Sequence, residues 1–230
     1  MEMSPAEWTA ILLSLRVAAV ATLVATPLGI ALAWLLARRD FWGKSALDAA
    51  IHLPLVLPPV VTGYLLLLSF GRHGPVGGFL ADHLGIVFAF RWTGAALACG
   101  VMSFPLLVRP IRLSIEAVDQ RLEQASATLG AAPWQVFATV TLPLALPGIL
   151  AGMVLGFAKA IGEFGATITF VSNIPGETQT ISSAIYSLIQ TPDGDSAALR
   201  LVAISIVIAT SALIASEWFA RRATQRLHGN

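Results

Sequence analysis

The stretch Val17 to Ala37 holds 21 residues without a charged side chain. Coiled as a helix it reaches about 31 Å, the thickness of the hydrocarbon core of a bilayer. Such runs recur: Ala49 to Gly71 is a second, Thr93 to Val108 a third, Leu142 to Ile161 a fourth and Leu199 to Ala220 a fifth. The third is short by itself, but Arg91 and Arg109 flank it and can snorkel to the headgroups. Lys159 stands near the end of the fourth, and Arg200 and Glu217 near the two ends of the fifth. The pattern predicts an all-α integral membrane protein with about five transmembrane helices. No repeat or low-complexity linker divides the chain, so residues 1–230 read as one transmembrane domain.

Charge is scarce, at 12% Asp, Glu, Lys and Arg, about half the share usual in soluble domains. What matters is where it falls. The segments Arg38–Asp48, Arg109–Thr141 and the tail after Ala220 hold nine Lys/Arg: Arg38, Arg39, Lys44, Arg109, Arg112, Arg121, Arg221, Arg222 and Arg226. The opposite set holds four, Arg16, Arg72, Arg91 and Arg200. By the positive-inside rule the first set is cytoplasmic, the N-terminus periplasmic and the C-terminus cytoplasmic. Trp8, Trp34, Trp42, Trp92 and Trp218 fall at span ends, where indoles prefer to sit. Glu2 and Glu7 occupy the place of a positive n-region, so the start does not read as a secretory signal. The 14 basic and 13 acidic residues nearly cancel, which leaves no basic footprint for nucleic acid. Cys99 lies in an apolar run without metal-ligand spacing and reads as a small core residue, so no metal site and no cofactor are expected.

Three features stand inside the spans. Gly148, Gly152 and Gly156, followed by Ala160, recur every four residues on one face of the fourth span. Bare positions at that spacing let a second helix approach closely, and the same face could line a pathway. Pro54, Pro58 and Pro59 remove donors from the second span and predict a kinked helix. Lys159 and Glu163 are four apart near the outer interface, so they can pair. Glu163, with Gly162 before it and Gly165 after, reads either as part of a gate or as an interfacial ion pair. His52 reads as a span-edge residue. The segment Glu163 to Ala198 is the longest outer segment and is still apolar, and residues 181–190 read as a helix dipping into the membrane.

Hydrolytic chemistry has no residues to carry it. RRDFWGKS, Arg38 to Ser45, ends like a phosphate-binding loop, but Arg38 stands where the first glycine is required. The most informative stretch is cytoplasmic, EAVDQRLEQASATLGAAPWQVFATVTLP from Glu116 to Pro143. It predicts a helix ending near Leu129 with Gly130 as its stop, then a short helix opened by Pro133. Leu122, Ala125 and Leu129 share one apolar face, which Trp134 and Phe137 extend. A hairpin fixed at both ends to membrane helices can insert into a groove of a soluble partner, or can lie flat on the membrane.

This stretch resembles the EAA loop of ABC importer permeases: Glu-Ala-Ala, three residues, Gly, nine residues, Ile, any residue, Leu-Pro. Aligned on Gly130, Leu142 and Pro143, the Glu position is Gln124, the alanines are Ala125 and Ser126, and the Ile position is Val140. Glu123 supplies an acid one residue early. The resemblance runs along nearly the whole chain. LPLVLPPVVTGYLLL, VMSFPLLVRPIRL and GEFGATITFVSNIPGETQTISSAIYSLIQTP look like the permease subunits of bacterial molybdate importers. It implies a type I ABC importer permease fold in the bacterial inner membrane, with no ATPase activity of its own. A second copy of the chain would complete the pathway, a cytoplasmic ABC ATPase dimer would dock on the hairpins, and a periplasmic molybdate-binding protein would deliver the oxyanion. Tungstate is an equal candidate cargo, and sulfate permeases are related. A membrane anchor that tethers a soluble partner is the competing reading from the residues alone.

Overall fold

The computed structural model describes the backbone of residues 3–228 and the side chains of residues 3–215 and Trp218, and all its regular structure is helical. Glu2, Glu217, Arg221, Arg222 and Arg226 lie outside the described side chains. The first helix, α1 (Pro5–Arg38), starts well ahead of the uncharged run because its start is capped reciprocally. Glu7 N–H donates to Ser4 Oγ at 3.2 Å and Ser4 N–H to Glu7 Oε2 at 2.6 Å, with Pro5 in the first helical position. The other oxygen of this buried carboxylate meets Arg200 at 2.9 Å, which ties the start of α1 to α11 (Asp195–His228).

The second span is not the single kinked helix expected. It is two helices, α2 (Lys44–Val56) and α3 (Pro59–Phe70), whose axes turn by 116° at the break. Leu57 and Pro58 are both extended there, as the residue before a proline tends to be, and Pro59 restarts the coil in its first position. Arg112, towards the end of α5 (Trp92–Glu116), donates to Asp48 in α2 at 2.9 Å. Phe70, at the far end of α3, meets Phe88 edge-on at 6.0 Å, just ahead of the start of α5. Between Asp48 and Phe88 the chain has therefore passed from one end of α5 to the other, which fits the bent pair as one crossing and makes up to five candidate crossings among the described residues. A short helix, α4 (Pro75–Leu84), returns the chain to the head of α5, where Arg16 lies 3.7 Å over the Trp92 ring.

The expected fourth span is α8 (Leu142–Ile161), and its glycine face settles against α5. A Cβ on Gly152 would stand 2.5 Å from the Leu107 carbonyl, and one on Gly148 would collide with Ser114. The stripe is a packing surface set against α5. Cys99 is fully buried, as expected, and its thiol points to the Ala160 carbonyl at 3.5 Å. That contact places the end of α8 about 10 Å short of the α5 start. The remaining depth is filled by α9 (Gly165–Val171), whose Ala166, Phe170 and Val171 are completely buried. The segment after Glu163 thus begins inside the span and not as an outer loop. The helix α10 (Ile181–Leu188) occupies the predicted place, its Ile181 N–H held by Ser14 Oγ at 2.7 Å.

Two positions of the glycine stripe test this packing. Gly152→Ala forces the Leu107 backbone aside and should cost about 1–3 kcal/mol, the usual range for overpacking. Gly156→Ala puts its methyl at an ordinary 3.5 Å from Leu107 and should be close to neutral. Thermal unfolding of the two variants in detergent should separate them, with Gly152→Ala alone showing the lower Tm.

Candidate functional site

Two constellations qualify, one at the charged end and one inside the membrane. The first is the hairpin. Its leading helix α6 (Gln120–Thr128) is capped by Asp119, whose carboxylate accepts from Arg121 N–H at 2.9 Å. Gly130 closes the turn at φ +93°, a left-handed conformation that costs any side-chain-bearing residue about 1–2 kcal/mol. Then α7 (Pro133–Val136) begins with proline in its first position, as the sequence predicts, and Gln135 accepts from Ala132 N–H at 2.7 Å. It does not end before the membrane. A π-turn, Phe137–Thr141, carries it on into α8, so Pro133–Ile161 is one continuous helix of 29 residues.

The expected hairpin residues divide into two faces. Leu122, Leu129 and Trp134 are 50%, 89% and 70% exposed, a solvent-facing apolar surface joined by exposed Gln124 and Ala125. Ser126, Val140, Leu142 and Pro143 are half-buried. Phe137 does not extend the exposed surface. It lies about 60° around the helix from Trp134, enough to turn it inward, where it meets Trp34 of α1 edge-on at 6.1 Å.

Glu123 also faces inward. Its Oε1 accepts from Arg38 Nη2 at 3.0 Å, Arg38 Nε at 3.2 Å and Thr141 Oγ1 at 2.6 Å, while Arg38 also donates to the Val118 carbonyl at 3.0 Å. Neither Arg38 nor Thr141 is picked out by the sequence, since 85 residues separate Arg38 from its partner and no local period links them. The one available signal is the displacement of the acid from position 124 to 123. Beside this network lies a hollow of about 360 Å³ between the end of α1 and the hairpin. More charges pair at the same end. Arg112 bridges Asp48 and Glu116, and Lys44 hydrogen-bonds exposed Asp40 at 2.8 Å, holding its carboxyl below the usual carboxylate range.

The second constellation is the break between α8 and α9. Lys159 Nζ lies 2.7 Å from Glu163 Oε2, and Glu163 Oε1 accepts from Ala166 N–H at 3.0 Å, capping α9. Glu163 is 2% exposed, so the acid is the buried member of the pair, covered by α9. Gly165 admits Pro59, whose Cβ would come within 2.7 Å of a methyl placed there, so the break in the fourth crossing meets the break in the second. This is the one place where a lysine stands within the membrane, with a third of its side chain accessible. A larger hollow of about 570 Å³ between α1, α2 and α5 is walled by Val20, Leu28, Ile51, Pro54, Phe104 and similar side chains. It offers no compensation for a desolvated ion. Among the described residues no group of three or more His, Cys, Asp or Glu could hold a metal.

Glu163→Ala leaves Lys159 without its partner inside the membrane and should destabilise the chain by about 3 kcal/mol. The double variant Lys159→Met with Glu163→Gln removes both charges and should recover most of that loss. Both are read from the detergent melting curve.

The family described as the binding-protein-dependent transport system inner membrane component matches residues 25–225 of this chain. The molybdenum transport system permease protein ModB of Escherichia coli (strain K12) is 62% identical over 220 residues, covering 96% of each chain. ModB of Haemophilus influenzae is 56% identical over 221 residues, again 96% of each. Among solved structures, a bacterial ABC transporter that imports the acidic polysaccharide alginate superposes with a TM-score of 0.75 at 19% identity, over 97% of this chain and 82% of that one. The MetNI methionine ABC transporter, in inward-facing conformations, gives 0.67 at 15% identity, over 95% and 94%. At such identities the two structures speak for the fold alone, which is that of the ABC importer permeases.

Proposed function

We propose a function from one premise: the chain belongs to the family of inner membrane components of binding-protein-dependent transport systems. It is the permease subunit of an ATP-driven importer that carries molybdate, or the similarly sized tungstate, across the bacterial inner membrane. The likeness to ModB over 96% of both chains is the observation that carries the cargo. The hairpin's exposed Leu122, Leu129 and Trp134 support a docking surface for a separate ATPase, which supplies the energy. Arg38, Arg39, Lys44, Arg112 and Arg121 gather at the hairpin's end of the molecule, so the positive-inside rule makes that end cytoplasmic. The N-terminus is then periplasmic and the C-terminus cytoplasmic.

In this reading two copies of the chain enclose the pathway, and a periplasmic molybdate-binding protein presents the dianion at the outer ends of α5 and α9. Closure of the ATPase dimer on ATP draws the two hairpins together. Because α7 continues into α8 through the π-turn, that movement enters the membrane along one continuous helix. Glu163 and Gly165 sit where the breaks of two crossings meet, the place a gate needs a change of helix direction. The pairing of Lys159 with Glu163 leaves that region nearly neutral, so a dianion meets no unpaired carboxylate there. Hydrolysis releases the ATPases and resets the pathway.

Vesicles containing the permease, its ATPase and its binding protein should take up labelled molybdate only with ATP, with tungstate competing and sulfate not. Gly130→Val, which strains the hairpin turn, should lower uptake by about ten-fold while the protein still purifies as a folded dimer. Unchanged uptake in that variant sinks the hairpin's role, and competition by sulfate moves the cargo.

A further inference from the structure

We infer that Glu123 is a latch within the permease: it fastens the hairpin to α1 and to α8 at once, and Arg38 and Thr141 are the residues it fastens to. This rests on the hairpin's role as the ATPase-coupling element. One carboxylate oxygen collects three donors from two places, the last residue of α1 and the last residue of the π-turn. Charge-assisted bonds of this kind are about twice as strong as neutral ones, and this one is shielded, with the Arg38 side chain 9% and the Glu123 side chain 18% accessible.

The position of the acid is the key to its use. Residues 123 and 124 are about 100° apart around α6. Gln124, at the motif's acid position, is exposed and uncharged, while Glu123 points into the fold. The carboxylate has thus left the face available to a partner and joined the face that meets the permease's own helices. The π-turn serves the same end. Its wider coil still keeps Thr141 fully buried and brings the hydroxyl to 2.6 Å from Glu123. Any displacement of α6 must then either carry the ends of α1 and α8 with it or part all three bonds. Glu123, Arg38 and Thr141 are positioning residues. They touch no cargo and no nucleotide, and they set how much of the hairpin's movement reaches the membrane.

The test measures ATP hydrolysis and molybdate uptake in the same vesicles of the full complex. Glu123→Gln, and separately the isosteric Thr141→Val, should leave hydrolysis within about two-fold while molybdate carried per ATP falls by about ten-fold, within the usual range of coupling between sites. The exchange Arg38→Glu with Glu123→Arg should restore part of that ratio. Thr141→Val removes one hydroxyl at constant size, so it remains informative where a charge variant fails to fold. If hydrolysis and uptake fall together at a constant ratio, Glu123 is a docking residue and the latch is wrong, while the hairpin's role stands. If the ratio is unchanged in every latch variant although Gly130→Val lowers uptake, the latch is again overturned. If Gly130→Val has no effect either, it is the hairpin's role that fails.

Discussion

Helices α5 and α8 touch through their backbones, and the rest of the molecule is arranged around that contact. With no side chain on Gly152 and little room beside Gly148, the coil of α8 rests on the Leu107 and Pro110 carbonyls. In a bilayer there is no gain from hiding apolar surface between helices, so close packing of this kind has to supply the association. The pillar so formed receives α1 along one side and α9 above its shorter member. Buried Leu107, Val108 and Ile111 fill one cluster, and Ala95, Cys99 and Phe170 another, both of them built on α5.

Charge is placed with equal economy. Three ion pairs join segments far apart in the sequence: Glu7 with Arg200, Asp48 with Arg112, Arg38 with Glu123. The first two tie one crossing to another, and the third ties the end of α1 to the hairpin. Lys159 with Glu163 is local in sequence, like Lys44 with Asp40 and Arg112 with Glu116, but it lies inside the membrane at a helix break. Its acid also caps α9, so one carboxylate neutralises a lysine and satisfies an otherwise orphaned N–H.

Much of this was legible in residue order, and the remainder had a common reason for being hidden. Long uncharged runs located α5, α8 and α11, Gly130 and Pro133 marked the hairpin turn, and the spacing of Gly148, Gly152 and Gly156 announced a packed face. Prolines 58 and 59 showed where a helix breaks, but the 116° turn depends on what α3 leans against, namely Gly165 and Ala166, far along the chain. The inward turn of Phe137 and of Glu123 depends likewise on α1, which periodicity within the hairpin does not contain. The burial of Glu163 was hidden because counting residues outward from α8 assumes one straight helix, whereas the coil stops and restarts in α9 over the carboxylate.

The continuous helix from Pro133 to Ile161 has a mechanical meaning once its line of contact is considered. Gly148 and Gly152 both seat it on α5, the first about 22 Å from the hairpin end and the second about 14 Å from the break. Two points of backbone contact resist a tilt about either one, so motion imposed at Trp134 is guided into sliding or rolling of α8 along α5.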